Sequence, residues 1–419
     1  MEFLADFHIH SKYSRATSQD MNTSRIAEWA RLKGVTLMGS GDFTHHLWLE
    51  ELKANLEDTG NGLFKFSAGR QAGSDIYFML TAEISSIYSK GGRGYRVHSV
   101  IFAPSFKTVD KINNALSRRG NLASDGRPIL GLDAADLARI VFDIDPNCVF
   151  VPAHIWTPWF SLFGSMSGFD RIEDCFEEQT PKIFALETGL SSDPAMNWRL
   201  SSLDRFSLIS NSDSHSPSRI GREANAFNCE LSYQAIVDAL KKKDKNRFLY
   251  TIEFFPEEGK YHFDGHRACG VRLTPGETKE NNGRCPKCGK NVTVGVMNRV
   301  EQLADRPQGY KPENAIPYKN LIPLDEIIAE AKGIGKGSKA VAGEYRMALS
   351  KFGTEFEILL KAKKEDLEKG LPKRIAEGVL RVRKGQVIIQ PGFDGEYGKI
   401  ATFSEDKKPD TGEEQLSLF

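Results

Sequence analysis

The sequence has no apolar run of membrane-spanning length, and Met1-Glu2-Phe3 leads directly into an extended apolar segment without a basic-then-apolar leader. A membrane-embedded or secreted protein is therefore not expected; a cytoplasmic, nucleoid-associated one is. An excess of one charge is also missing, since 56 Lys and Arg face 56 Asp and Glu in 419 residues. This balance excludes a uniformly basic coat but not a local groove, for which Lys90-Gly91-Gly92-Arg93-Gly94-Tyr95-Arg96 and Arg118-Arg119 are candidates. Cysteine is scarce, six in all, and Cys148, Cys175 and Cys229 stand alone. Isolated thiols in a reducing compartment are small core residues, so no disulfide framework is expected.

Histidine is what the sequence does have. In Ala5-Asp6-Phe7-His8-Ile9-His10 an extended backbone puts His8 and His10 on one face and Phe7 and Ile9 on the other, which presets two imidazoles for one metal. Further histidines follow short apolar runs: His98 after Gly94-Tyr95-Arg96-Val97, His154 after Val149-Phe150-Val151-Pro152-Ala153, and His215 in Ser210-Asn211-Ser212-Asp213-Ser214-His215. Asp42 and Glu83 end two more such runs, Leu37 to Gly41 and Tyr77 to Ala82. Strands that each deliver one ligand at their C-terminal edge build a site at the mouth of a barrel.

The pattern between these points alternates. Ile26, Trp29 and Ala30 sit at helical spacing behind Asn22-Thr23-Ser24 and stop at Gly34. Strands are expected near 76–84, 97–103, 148–153, 182–187 and 206–211, and helices near 46–57, 107–118, 133–142, 193–200 and 232–242. Seven or more strands separated by helices predict a parallel α/β barrel to about residue 255. From there the character changes. His266-x-x-Cys269 and Cys285-Pro286-Lys287-Cys288 form two knuckles that can close a tetrahedral, structural zinc site, whereas His262 fits the spacing poorly. Pro307, Pro312 and Pro317 mark a linker or strap over 306–320. Helices are expected at Leu324 to Lys332, Gly343 to Leu349 and Glu355 to Leu367, then a small β-rich piece from Val379 to Phe403. The loop Lys332-Gly333-Ile334-Gly335-Lys336-Gly337-Ser338-Lys339 offers amides and ammonium groups to phosphates, with DNA preferred over a nucleotide. Ser404 to Glu414 is too polar to fold and reads as a tether, ending in Gln415-Leu416-Ser417-Leu418-Phe419, which has the form of a docking peptide.

The set His8-x-His10, Asp42, Glu83, His98, His154 and Asp213-x-His215 resembles the polymerase-and-histidinol-phosphatase (PHP) domains, whose distorted seven-stranded barrels hold up to three metals. The continuation, Asp264-Gly265-His266-Arg267 into the knuckles and then Arg299-Val300-Glu301-Gln302-Leu303-Ala304-Asp305-Arg306-Pro307, is similar to the endonuclease Q family. That resemblance implies a metal-dependent endonuclease nicking double-stranded DNA 5′ of hypoxanthine, uracil, xanthine and abasic sites. It implies a catalytic barrel over 1–255, a zinc domain over 256–305, a DNA-contacting α+β domain over 306–403 and a flexible tail over 404–419. It puts His8, His10, Glu83 and Asp213 around one catalytic metal, with Glu83 bridging to a second held by His98 and His154, and gives a third to Asp42 and His215. Many PHP domains carry histidine where Phe43 follows Asp42 here, and His45 stands nearby as a substitute. The ligands suit zinc, with manganese or magnesium as alternatives. Trp156, Trp159, Phe160 and Phe163 crowd beside His154 and are candidates for the wall of a base pocket or for the core at the barrel mouth. Gln415, Leu416, Leu418 and Phe419 resemble the pentapeptide that docks bacterial proteins on the β sliding clamp, and the chain is expected to act as a monomer. Two other functions stay open: a small-molecule phosphoesterase, and a helicase-associated DNA-binding module without nuclease activity.

Overall fold

The computed structural model describes residues 1–67 and 75–404. The first strand, Glu2–Asp6, lies at the centre of a mixed sheet: Leu37–Gly39 pairs with it in parallel, with Ala5 opposite Leu37, and Ala224–Asn228 pairs antiparallel on its other side. Leu37–Gly39 is parallel to Tyr77–Lys90 in turn. A parallel arrangement throughout was expected, and here the structure differs. Tyr77–Lys90 and Arg93–Ala103 form one long antiparallel hairpin, because Gly91 and Gly92, with φ of 59° and 79°, supply the two left-handed positions of a tight two-residue turn. Arg93–Ala103 then pairs antiparallel with Val149–Pro152, whereas Ala185–Glu187 and Ser207–Ile209 are parallel to each other. The fold is thus mixed α/β. Phe7, Phe102, Phe227, Val151, Ala185 and Ile209 are all buried on the inner faces of these strands, so the interior is packed rather than hollow.

Helices cover the outside where the sequence spacing places them. Thr23–Lys33 starts at Asn22, whose side chain accepts from the Arg25 amide at 3.1 Å, and stops at Gly34, whose φ of 89° is the left-handed cap. Phe106–Leu116 and Tyr233–Lys242 start at Ser105 and Ser232 in the same way and bury one stripe each. The strap is pinned to the sheet, since Tyr318–Asn320 adds in parallel to Phe248–Glu253. Beyond it come helices Leu324–Lys332 and Lys339–Phe352, a π-helical turn Glu357–Lys361, then Lys364–Gly370 and Lys373–Arg383. Two expectations are corrected there. The segment 355–367 is broken in two, and Arg383 donates to the freed carbonyls of Ile358, Leu359 and Ala362. Val379 belongs to a helix, not to a strand, because Ile375, Ala376, Val379 and Val382 recur on one buried face. Strands begin only at Ile388–Gln390, paired with Lys399–Ala401. Among the described residues no helix is long and apolar enough to cross a membrane.

The C-terminal helices dock on the first helix through a buried ion pair. Lys33 Nζ lies 2.7 Å from Glu355 Oε2, with both side chains 4% exposed, and Glu355 also accepts from Tyr345 Oη at 2.6 Å and the Leu324 amide at 3.1 Å. Lys33→Met would leave that carboxylate buried without its cation, and should lower stability by about 3 kcal/mol in urea unfolding. A loss under about 1 kcal/mol, the range of exposed pairs, would contradict the docking described here.

Candidate active site

Two groups of ligand-type atoms meet at one carboxylate. His8, His10, Glu83 and Asp213 make the first and Glu83, His98 and His154 the second, with the donor atoms of each group within 4.8 Å of one another. Glu83 and His98 do not end strands, as the sequence pattern suggested; both sit inside the long hairpin, which continues past the site to its turn at Gly91 and Gly92. His98 Nδ1 is 2.8 Å and His154 Nε2 3.0 Å from Glu83 Oε1, while His10 Nε2 is 3.2 Å and His8 Nε2 3.4 Å from Oε2. Asp213 Oδ1 closes the first group, 3.1 Å from His10 Nε2. The backbone is strained to aim these groups: Asp42, His154 and Asp213 have φ of 47°, 31° and 45°, a region that few non-glycine residues occupy.

The arrangement fits metal ions. His8 Nε2, His10 Nε2 and Asp213 Oδ1 are buried without a hydrogen-bond partner, and the three point at one another. Their counterparts are held from behind. His8 Nδ1 faces both oxygens of Glu187 at 3.0 and 3.1 Å, His10 Nδ1 faces Asp42 Oδ1 at 3.0 Å, and His154 Nδ1 faces Thr157 Oγ1 at 3.2 Å. A partner behind each imidazole fixes the tautomer and leaves the other nitrogen free to ligate. Burial disfavours charge on every one of these groups, yet the Glu187 and Glu83 carboxylates hold His8 well above its ordinary pKa, and Asp42 and Asp213 do the same for His10. Burial pushes His98 down to about 4, while His98, Arg127 and His8 hold Glu83 well below the carboxylate range despite its burial.

Asp42 stands behind His10. It belongs to neither group: Oδ1 faces His10, and Oδ2 accepts from the Ser11 amide and hydroxyl at 2.6 Å each and from Ser14 Oγ at 2.8 Å. A Cβ at Gly126 would collide with that same carboxylate. Asp42 thus positions His10. His215 keeps its Nδ1 on the Asp213 carbonyl at 3.0 Å, and His45 stacks against Tyr13 and His46. Among the described residues these three build no third donor group. Sequence reasoning missed Glu187, Arg127 and Asn211. Glu187 ends the Ala185–Glu187 strand as Asp42 and Glu83 end their apolar runs in the sequence, so the same signal was available; it also accepts from the His154 amide at 2.9 Å and Asn211 Nδ2 at 2.8 Å. Arg127, 3.1 Å from Glu83 Oε2, lies in a loop with no pattern to announce it.

The second cluster is separate. His266, Cys269, Cys285 and Cys288 converge, with Cys288 Sγ 3.5 Å from His266 Nδ1, and four protein donors leave no open position. His262 stays outside it, buried and pushed down to about 4. The aromatic candidates divide. Trp156 is 1% exposed and donates to Asn197 Oδ1 at 2.8 Å, and Phe163 packs on it, so these two are core. Phe160 lies against His98, ring to ring at 4.8 Å. Trp159 reaches the surface and lines a cavity of about 720 Å³ together with Thr157, Arg222, Tyr261, Lys336 and Tyr397.

Residues 323–386 match the family described as the MJ0043 C-terminal domain. The uncharacterised protein MJ0043 of Methanocaldococcus jannaschii is 37% identical over 254 residues; the match takes in 59% of this chain but only 31% of that much longer protein. The uncharacterised protein YqxK of Bacillus subtilis is 29% identical over 416 residues, covering 94% of this chain and 98% of its own. The crystal structure of the lesion-specific endonuclease PfuEndoQ from Pyrococcus furiosus superposes with a TM-score of 0.84 at 32% identity, over 96% of this chain and 95% of that one. An endonuclease Q complex with a 27-mer duplex bearing an abasic lesion at the active site gives 0.83 at 32% identity, over 97% and 98%. Fold and site together define a metal-dependent hydrolase of the nuclease class. Within that class the chain belongs to the endonuclease Q family.

Glu187→Gln keeps the shape behind His8 but removes the negative charge. Mn²⁺ affinity measured by calorimetry should fall about 10- to 100-fold with the fold intact. An unchanged affinity would show that His8 needs no carboxylate behind it.

Proposed function

We propose that this protein is a DNA repair endonuclease that hydrolyses the phosphodiester on the 5′ side of deaminated bases (hypoxanthine, uracil and xanthine) and of abasic sites. The observation that carries the reading is the pair of donor groups sharing Glu83, in a chain of the endonuclease Q family. A relative's complex with abasic duplex DNA supports the substrate class, and the deaminated bases follow from the resemblance of the sequence motifs to the endonuclease Q family. In this reading His8, His10, Glu83, Asp213, His98 and His154 hold the active-site ions, zinc or alternatively manganese or magnesium, and His266, Cys269, Cys285 and Cys288 hold a structural zinc. Bound there, divalent ions supply the Lewis acidity and acidified water that phosphodiester hydrolysis needs near neutral pH. Arg127 adds a fixed positive charge beside Glu83 that favours an approaching phosphate.

The catalytic barrel is read as closed by seven strands over 1–255. Its two remaining seams are supported by the Ile155 amide donating to the Glu187 carbonyl at 3.1 Å and by the bridge between Ile9 and Ser214. The zinc domain spans 256–305, and the α+β domain over 306–403 contacts DNA. A base inside the stack cannot be inspected, so selection requires extrusion, and the cavity beside Thr157 and Trp159 is the receiving pocket. Trp159 on its wall would contribute a stacking contact of about 1–3 kcal/mol.

The test is nicking of a duplex with one hypoxanthine or abasic site beside hydrolysis of a phosphate monoester. The lesion duplex should be cut at a single 5′ position and the monoester left intact, and Glu83→Ala should abolish the cut while the protein still unfolds cooperatively. Preference for the monoester would establish a small-molecule phosphoesterase, and no turnover of either a DNA-binding module. The peptide Gln415, Leu416, Leu418 and Phe419 lies outside the described residues; it is proposed to dock on a bacterial β sliding clamp, its apolar side chains filling pockets while the tether reaches to DNA. Deleting 415–419 should abolish binding to purified clamp without slowing the nicking of short oligonucleotides. Clamp binding by the truncated chain would contradict that role.

A further inference from the structure

We propose that Tyr397 fills the gap that an extruded nucleotide leaves in the duplex, its ring stacking on the base pair beside the lesion; this rests on the reading that the protein cuts duplex DNA at an extruded nucleotide. Among the described residues no other large apolar or aromatic side chain is as exposed, at 75%. The backbone that carries it is fixed. Between Ile388–Gln390 and Lys399–Ala401, the amides of Gly392, Gly395 and Gly398 donate to the carbonyls of Glu257, Lys260 and Glu258 at 2.8, 2.8 and 3.0 Å. A Cβ at Gly392 or Gly398 would collide with neighbouring backbone oxygens, so this base is seated as closely as backbone allows. Asp394 ties the tip to the cysteine-rich module, accepting from the Arg267 amide and from Thr293 Oγ1 at 2.6 Å each. The result is a rigid strut ending in an uncovered ring.

The position of that ring says what it meets. Tyr397 stands on the wall of the 720 Å³ cavity, and Trp159 and Tyr261, edge to face at 5.6 Å, stand on the same wall. The Lys260 ammonium lies 5.4 Å from the Tyr397 ring and 6.0 Å from that of Tyr261, placing a cation between them for a phosphate backbone. Moving a nucleotide into the cavity exposes the faces of its neighbours in the stack, and a planar ring at the lip can cover one of them. Because the strut is already ordered, covering it incurs little loss of chain entropy.

The experiment compares an abasic site in a fully paired duplex, the same site flanked by mismatches, and the same strand alone. Tyr397→Ala should lower kcat/KM on the paired duplex about tenfold or more, the effect of losing one ring–base stack, and change the other two by less than about twofold. Tyr397→Phe should restore the paired duplex. A 2-aminopurine placed beside the lesion should be quenched on binding by wild type and by Tyr397→Phe but not by Tyr397→Ala. Equal loss on all three substrates, or no loss on the paired duplex, would overturn the proposal. Failure of the wild type to nick any of them would overturn the functional reading instead.

Discussion

The structure depends on one buried carboxylate. Glu83 is 1% exposed and is surrounded by His8, His10, His98, His154 and Arg127, each within about 3.5 Å of one of its oxygens. An ionised carboxylate in a protein interior suffers a desolvation penalty of several kcal/mol, which only close cationic or metal partners offset. Those partners come from the segment after the first strand, the second strand of the long hairpin, the segment after Val149–Pro152 and the loop at Arg127, while Glu83 itself stands on the hairpin's first strand. Satisfying one side chain therefore fixes how five parts of the chain meet. The antiparallel hairpin serves that centre: Glu83 stands opposite Val100 and His98 opposite Ser85, so the two sit diagonally on facing strands.

Around that centre the fold supplies orientation. Glu187 and Asp42 hold His8 and His10 from behind, Ser11 and Ser14 hold Asp42, and Asn211 holds Glu187. The left-handed backbone at Asp42, His154 and Asp213 is unfavourable in isolation and persists because these partners over-determine it. Gly189, with φ of 62°, passes so close to His154 that any side chain there would strike it. The network thus holds six ligand-type side chains in register.

Much of this was legible in the sequence, for physical reasons. Alternation set His8 and His10 on one face, spacing of two residues set the knuckle, and Asn22 and Gly34 bounded a helix because each can do there what few residues can. Other parts had no local signal. Arg127 reaches Glu83 only through tertiary folding, and whether Asp42 ligates or orients depends on Ser11, Ser14 and His10 together rather than on its place in the chain. Trp156 resembled Trp159 in sequence but is buried on Asn197 while Trp159 is not. Val379 was misleading because a β-branched residue on the buried stripe of Lys373–Arg383 looks like a strand until its spacing to Ile375 and Val382 is weighed.

Anomalous diffraction from crystals of the full chain grown with Mn²⁺, recorded at the manganese and zinc edges, tests the central claim most directly. The account predicts two sites sharing Glu83, one among His8, His10 and Asp213 and the other between His98 and His154, and a third peak enclosed by His266, Cys269, Cys285 and Cys288. A metal coordinated by Asp42, or a single ion that leaves Glu83 unshared, would contradict it.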